Sequence, residues 1–421
     1  MRKLAVIVVA LAALWLAPGA FASNWCGTGE TQADRPDVTT GQQIHAVVIV
    51  PSDGADNFVA DANILQNDVD VMSGWWSAQD PSRAPRFDQA VFPGGTCLDI
   101  SFLRLPDAAA QLQGAGNAFR RVARDLELAS FANQFKKYYV YYDGPAVEEN
   151  ICGTGGGEFA LGPAFAIVWL QGCPDIESVA IGTHELIHAL GALTDMVGAP
   201  HACPGDTGHP CDSPQDILYP TADTSRPFLQ ELLDVGHDDY YAHSGSWPDI
   251  QDSLWLRHLQ APQQPLSVSV VGTGNVSSDV PGLTCGAPCT TQWDSGSLVT
   301  LRATAGPGFR LVRWTGDCTG NGNCAVNMTR AESVTAVFGP SAVALRISTV
   351  GRGTVRCTPS CARTFPAGKV LTLRAVAAKG WKLARWSGGC KGTKLTCRPA
   401  TGTAITVRAT FARVPKLNPK R

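Results

Sequence analysis

His184-Glu185-Leu186-Ile187-His188, followed by Ala189-Leu190 and then Gly191, is the stretch that decides how this chain is read. On an α-helix, residues four apart share a face, so both imidazoles reach one point while Glu185 sits beside them. Two imidazoles supply two ligands of a Zn2+ site in which the metal acidifies water, and the adjacent carboxylate lies close enough to handle that water. The flanks suit a helix from Asp175. Ile176, Val179, Ile181, Leu186, Ile187 and Leu190 form an apolar stripe, and Gly191 supplies a left-handed stop.

A catalytic zinc takes three protein ligands and keeps one position open, so a third donor must come from elsewhere. The chain offers Asp195, His201, His209 and Glu231, the last being the only Glu between Glu185 and Glu332. His201 is favoured, because Ala199-Pro200 stiffens its approach and neutral imidazole suits zinc.

Around this helix, residues 44–260 read as mixed α/β. Ile44–Val50, Leu98–Leu105, Tyr138–Tyr142 and Phe165–Leu170 have the apolar or alternating pattern of strands. Ala55–Ser77 and Ala115–Gln134 have helical periodicity, which predicts a sheet covered by helices. Trp75-Trp76 is expected in the core. Gly153-Thr-Gly-Gly-Gly157 reads as a turn, because no P-loop Lys-Ser/Thr follows it. Leu233–Tyr241 clusters acids around His237 and reads as a solvated loop, with a calcium or second-metal site as the sharper alternative.

With its glycine in place, the motif resembles HExxHxxG, the opening of the metzincin signature, although Thr194 stands where that family has its third histidine. Asp216-Ile217-Leu218-Tyr219-Pro220 resembles the Met-turn under metzincin zinc ligands, with Leu218 in the methionine position. The resemblance implies an α+β zincin-like catalytic domain over residues 23–260, a mixed sheet with an active-site helix that hydrolyses peptide bonds of a protein or peptide substrate. In that reading His184, His188 and His201 hold the metal and Glu185 moves the proton. Tyr219 is then a candidate stabiliser of the oxyanion, or a structural tyrosine. The rival expectation is a noncatalytic secreted adhesin with a degenerate zincin domain, motivated by Thr194 and Leu218.

The N-terminus and the cysteines agree on compartment. Arg2-Lys3, the apolar run Leu4–Leu16 and Ala20-Phe21-Ala22 make residues 1–22 a secretory signal peptide cut after Ala22. No other apolar run is long enough to span a bilayer, so an exported, extracellular and monomeric chain is expected. Fourteen cysteines in an oxidising compartment predict disulfides. Neighbours pair most economically: Cys285–Cys289, Cys318–Cys324, Cys357–Cys361 and Cys390–Cys397. Cys203–Cys211 bridges the loop after the metal helix, Cys152–Cys173 ties its start to the Gly-rich segment, and Cys26–Cys97 remains.

The last third repeats itself. Cys285-x3-Cys289 returns as Cys357-x3-Cys361 and Arg313-Trp314 as Arg385-Trp386, both offset by 72 residues. Alternating runs between Gly/Pro turns make each copy a small all-β domain: module 1 at 266–340 and basic module 2 at 341–413, with a linker at 261–265 and a basic tail at 414–421. The Gly-x-Gly-x-Val start, Cys-x3-Cys, Trp-[Ser/Thr]-Gly turn and closing strand resemble divergent B-repeat modules of secreted bacterial proteins. That resemblance implies adhesion or spacing without catalysis.

The net charge of −2 hides an asymmetry: Ser341–Arg421 holds 17 Lys and Arg with no Asp or Glu, leaving 17 basic against 36 acidic residues elsewhere. Such a tail suits an anionic cell-surface polymer. Trp381, Trp386 and Phe365 among the positive charges would also suit nucleic acid.

Overall fold

The computed structural model describes residues 24–113, 116–157, 161–192, 199–366, 369–401 and 404–415. The expected signal peptide, Thr194 and Asp195, and most of the basic tail lie outside them. The chain divides into two compact units, Met1–Gln260 and Ala261–Arg421. No helix among the described residues is long and apolar enough to cross a membrane.

Unit 1 is mixed α+β. Its elements are β1 (Gln43–Val50), α1 (Phe58–Gln79), β2 (Arg83–Pro85), β3 (Gln89–Phe92), β4 (Gly95–Leu98), β5 (Ile100–Arg104), α2 (Ala109–Leu112) and α3 (Ala118–Leu128). Then come β6 (Lys136–Tyr142), β7 (Gly153–Gly156), β8 (Phe165–Trp169), α4 (Ser178–Ala189), β9 (Ala202–Cys203), β10 (Asp206–Pro210) and β11 (Leu256–His258). The main sheet runs β5-β1-β6-β8-β7, parallel throughout except for the antiparallel edge strand β7.

β1 is apolar at nearly every position because both faces are covered. Ile44, Ala46 and Val48 pack with Phe58, Leu65 and Met72 of α1 and with Leu186 and Ile187 of α4. Val47 and Ile49 pack with Val122 and Leu126 of α3. Trp75 and Trp76 are buried, as their place on α1 predicts.

The single strand expected at Leu98–Leu105 is instead two. Asp99 interrupts it, buried and held by the Arg35 amide at 2.9 Å and guanidinium at 2.5 Å. Gly153–Gly157, read as a turn, contributes the edge strand β7.

Sequence patterning also misses a buried charge cluster on the sheet. Lys136 is fully buried, with Nζ 2.6 Å from carboxylates of Asp34, Asp37 and Asp88. His45 bridges Asp88 (3.0 Å) and Ser101 (2.9 Å). Burial pushes the Asp37 pKa up to about 7. Burial also opposes the Lys136 ammonium, but the three carboxylates outweigh it and hold its pKa above the usual range. Removing one partner of a buried pair strands the other in low dielectric. Lys136→Met is therefore expected to cost about 3–5 kcal/mol in urea unfolding, and a loss under ~1 kcal/mol would contradict this account of the cluster.

Unit 2 is all-β. Module 1 has two four-stranded sheets built from β12 (Gln263–Val271), β13 (Gly274–Ser278), β14 (Thr284–Cys285), β15 (Cys289–Asp294), β16 (Leu298–Ala305), β17 (Phe309–Gly316), β18 (Cys324–Asn327) and β19 (Glu332–Pro340). Their orders are β15-β12-β19-β17 and β14-β13-β16-β18. The expected linker is largely strand, since Gln263–Pro265 pair with Asp294–Gln292.

Module 2 contains β20 (Ala342–Val350), β21 (Gly353–Thr358), β22 (Thr364–Pro366), β23 (Thr372–Ala377), β24 (Trp381–Gly388), β25 (Thr396–Cys397) and β26 (Ile405–Arg413). They form β22-β20-β26-β24 and the three-stranded β21-β23-β25. In each module a buried tryptophan donates its indole N–H to a carbonyl eight residues on, Trp314 to Gly322 and Trp386 to Lys394, both at 2.8 Å. The glycine two residues later has positive φ, and a Cβ there would lie 2.2 Å from a facing carbonyl oxygen. That contact explains why the repeat keeps Trp-x-Gly.

Seven disulfides staple the chain: Cys26–Cys97, Cys152–Cys173, Cys203–Cys211, Cys285–Cys289, Cys318–Cys324, Cys357–Cys361 and Cys390–Cys397. Among the described residues no cysteine is free. Such a framework belongs to an oxidising compartment.

Candidate metal centre

α4 carries His184, Glu185 and His188 and is fixed along its length. At its start Ser178 donates to Asp68 (2.5 Å), which also accepts from Tyr141 (2.6 Å), joining helix to α1 and β6. Midway, Gly182 lets the Tyr139 hydroxyl lie against the helix, where a Cβ would come within 1.8 Å of that oxygen. At its end Gly191 takes φ +107, and the Gly191 and Ala192 amides close onto His188 and Ile187 carbonyls.

β7 packs directly on this helix. A Cβ on Gly155 would lie 2.2 Å from the Glu185 carbonyl oxygen, and one on Gly153 would lie 2.5 Å from Glu185 Cγ. Backbone cannot yield as a side-chain tip can. Gly155→Ala is therefore expected to destabilise the protein by about 1–3 kcal/mol in urea unfolding; wild-type stability would contradict the contact.

Three histidines converge above the helix. His184 Nε2 lies 3.2 Å from both His188 Nε2 and His209 Nε2, and ligand atoms of the three rings lie within 4.8 Å of one another. Each ring is held from behind by a group that can only accept. His184 Nδ1 donates to the Ile217 carbonyl (2.7 Å), His188 Nδ1 to the Ala192 carbonyl (3.3 Å) and His209 Nδ1 to the Asp206 carboxylate (2.9 Å). Nδ1 therefore carries the proton, and three Nε2 lone pairs face one another without a donor between them. Burial, with the neighbouring rings, drives the His188 pKa down to about 4 and the His184 pKa well below its ordinary value. Neutral imidazoles with outward-bonded Nδ1 are a fitting donor set for zinc.

Glu185, 8% exposed, lies beside them. Burial pushes its carboxyl up to about 8 despite a hydrogen bond from the Gly155 amide. All four residues line a cleft of about 840 Å³ walled by β7, Ile176, Tyr219 and Pro227.

His201, the third ligand favoured from sequence, is not in this cluster; His209, another of the candidates, stands there instead. The His201 ring pairs with Asp239 (3.2 Å), and its amide donates to the same carboxylate (2.9 Å). Desolvation lowers its pKa, but Asp239, with Asp238 and Asp212, outweighs it and raises the ring above its ordinary value. His201 thus anchors the base of the β9–β10 hairpin, tied by Cys203–Cys211, whose far strand presents His209. Glu231 lines the cleft but faces Arg226 at 3.5 Å.

Leu218 is fully buried beneath the site, in the turn whose Ile217 carbonyl orients His184. Asp216 fastens that turn, its carboxylate accepting from the Leu218 and Val235 amides and the Tyr240 hydroxyl. Tyr219 is half-buried on the cleft wall. The loop Leu233–Tyr241, read as solvated, is largely buried, with Asp234 accepting amides of Asp239, Tyr240 and Tyr241. Asp206 and the Ile217 carbonyl escaped the sequence reading. An Asp three residues before a His inside a disulfide-closed loop was the available signal for the first.

Residues 267–342 and 343–415 match the family model described as the divergent InlB B-repeat domain, so the C-terminal region consists of two such repeats. No curated protein matches the chain. Among solved structures, wild-type OgpA from Akkermansia muciniphila aligns over 93% of this chain and 98% of its own, at 10% identity and TM-score 0.28. Catalytically inactive OgpA in complex with an O-glycopeptide substrate aligns over 90% and 98%, at 10% identity and TM-score 0.25. The major pilin protein T-13 of Streptococcus pyogenes aligns over 36% and 97%, at 10% identity and TM-score 0.16. Scores this low establish no shared fold.

Proposed function

We propose that the chain is a secreted zinc-dependent endopeptidase of zincin type, with its two B-repeats serving attachment to a surface or substrate. The observation that supports this most is the convergence of three Nε2 atoms, each with Nδ1 bonded outward, beside a buried carboxylate in a cleft. His184, His188 and His209 would hold Zn2+. When bound, zinc supplies Lewis acidity, acidifying water and polarising a substrate carbonyl.

The chain's own residues do the rest. Glu185 accepts the proton of the attacking water and passes it to the departing amine as general base, then general acid. β7 offers an extended edge with no side-chain bulk beside Glu185, which suits alignment of an extended peptide. Tyr219, which also lines the cleft, would donate to the developing oxyanion. Among attachment partners, module 2 suits anionic material, an anionic cell-surface polymer included.

The test is zinc content and casein cleavage by purified protein. One zinc per chain and chelator-sensitive cleavage are expected; metal-free, inactive protein would sink the reading in favour of a noncatalytic adhesin. Zinc binding the folded state alone, at free concentrations near 1,000 times Kd, adds about 4 kcal/mol. A chelator should therefore lower Tm by several degrees, and an unchanged Tm would contradict the site.

A further inference from the structure

The two repeats share a fold, a Cys-x3-Cys bridge and a buried tryptophan, yet differ in two respects together. The first is charge: residues 266–340 hold four acidic and four basic side chains, whereas 341–413 hold fourteen basic and no acidic ones. A fold that one copy builds at zero net charge does not require the other's excess. Module 2 even sets Arg356 directly opposite Arg374, where module 1 pairs Ser277 with Arg302. Like charges in that position oppose pairing.

The second is closure. Val276 corresponds to Val355 and Cys285 to Cys357, offsets of 79 and 72, so module 2 is seven residues shorter between those points. In module 1 the extra stretch includes β14, which covers β13 through Val276–Cys285 and Ser277–Thr284. β15 there covers β12 from Gln263 to Val268. In module 2, among the described residues, β21 pairs only with β23, and β22 covers β20 only over Ala342–Ala344.

Along the uncovered edges runs a groove of about 790 Å³ lined by Arg346, Ile347, Thr349, Thr354, Val355 and Arg363, among others. The Leu345 amide is met by the Arg363 carbonyl at 2.8 Å. Strand alternation points the Ile347 and Thr349 amides the same way, where no strand lies among the described residues. Arg346 and Arg363 are both exposed.

An open strand edge presents donors and acceptors at the repeat of another peptide backbone, and the arginines select carboxylates. Stacking on bases is not on offer from two of the three aromatics noted in sequence, because Phe365 and Trp386 are each only 3% exposed. We infer that this groove binds an extended acidic peptide, which adds as a strand along β20 with its carboxylates on Arg346 and Arg363. The inference rests on reading the repeats as attachment modules and is independent of the metal centre.

The test uses the full chain carrying Glu185→Gln, so that cleavage does not enter, and a fluorescein-labelled peptide of alternating Glu and Thr. Anisotropy should show binding that weakens at least ~10-fold in Arg346→Gln/Arg363→Gln. Lys382→Gln/Arg398→Gln, an equal charge loss on β24 and just beyond β25, should change it less than ~3-fold. A fully N-methylated peptide keeps the charge but loses its amide donors, and should bind at least ~10-fold more weakly. Hydrogen exchange at Ile347 and Thr349 should slow with the peptide bound. No binding, equal losses in both double variants, an N-methylated peptide that binds as well, or unchanged exchange would each overturn the inference. So would a heparin fragment or DNA oligonucleotide of equal charge outcompeting the peptide. None of these outcomes bears on zinc content, so the two readings fail separately.

Discussion

Glu185→Gln is expected to keep one zinc per chain and to lose peptide hydrolysis by a factor of about 10²–10⁴. The amide has nearly the volume of the carboxylate, so the 8%-exposed pocket beneath Gly153 and Gly155 stays filled. It cannot accept the proton of water, and that is the step assigned to this residue. Since the histidines and their Nδ1 acceptors are untouched, metal content should not fall. Activity equal to wild type would remove Glu185 from the chemistry. Loss of zinc along with activity would make it a structural support instead.

The second large effect separates His209 from His201. His209→Ala deletes one of three converging nitrogens and should weaken zinc binding by more than ~100-fold, beyond what loss of a supporting residue produces. Asp206→Asn removes only the carboxylate behind His209 Nδ1, so a 10–100-fold weakening is expected. His201→Ala should retain stoichiometric zinc and cost about 1–2 kcal/mol of stability, because it takes a hydrogen-bonding partner from buried Asp239. Metal titration with a competing chelator, run beside urea unfolding, reads all three. Zinc lost in His201→Ala but kept in His209→Ala would reverse the assignment.

What the sequence discloses and what it hides divide by range. His184, Glu185 and His188 are legible because helical spacing alone puts them together, and Gly191 because a left-handed residue must end the helix. The repeats are legible through their constant offset. The third histidine is not, because which ring returns to α4 depends on the path of a loop. There His201 turns toward Asp239, while the disulfide-bridged hairpin carries His209 inward. Gly153–Gly156 lacks strand propensity and is a strand for a tertiary reason, the absence of room for a Cβ over Glu185. Nothing in the sequence marks Lys136 as buried, since lysine is rarely buried; only the fold brings Asp34, Asp37 and Asp88 around it. Asp99 breaks an otherwise continuous strand pattern because Arg35, 64 residues away, holds its carboxylate.

The most direct test of the metal centre is anomalous diffraction at the zinc edge from crystals grown with zinc. The account predicts one strong peak about 2.0–2.1 Å from Nε2 of His184, His188 and His209 together. A peak at His201, Asp238 and Asp239 instead, or none beside the helix histidines, would contradict it.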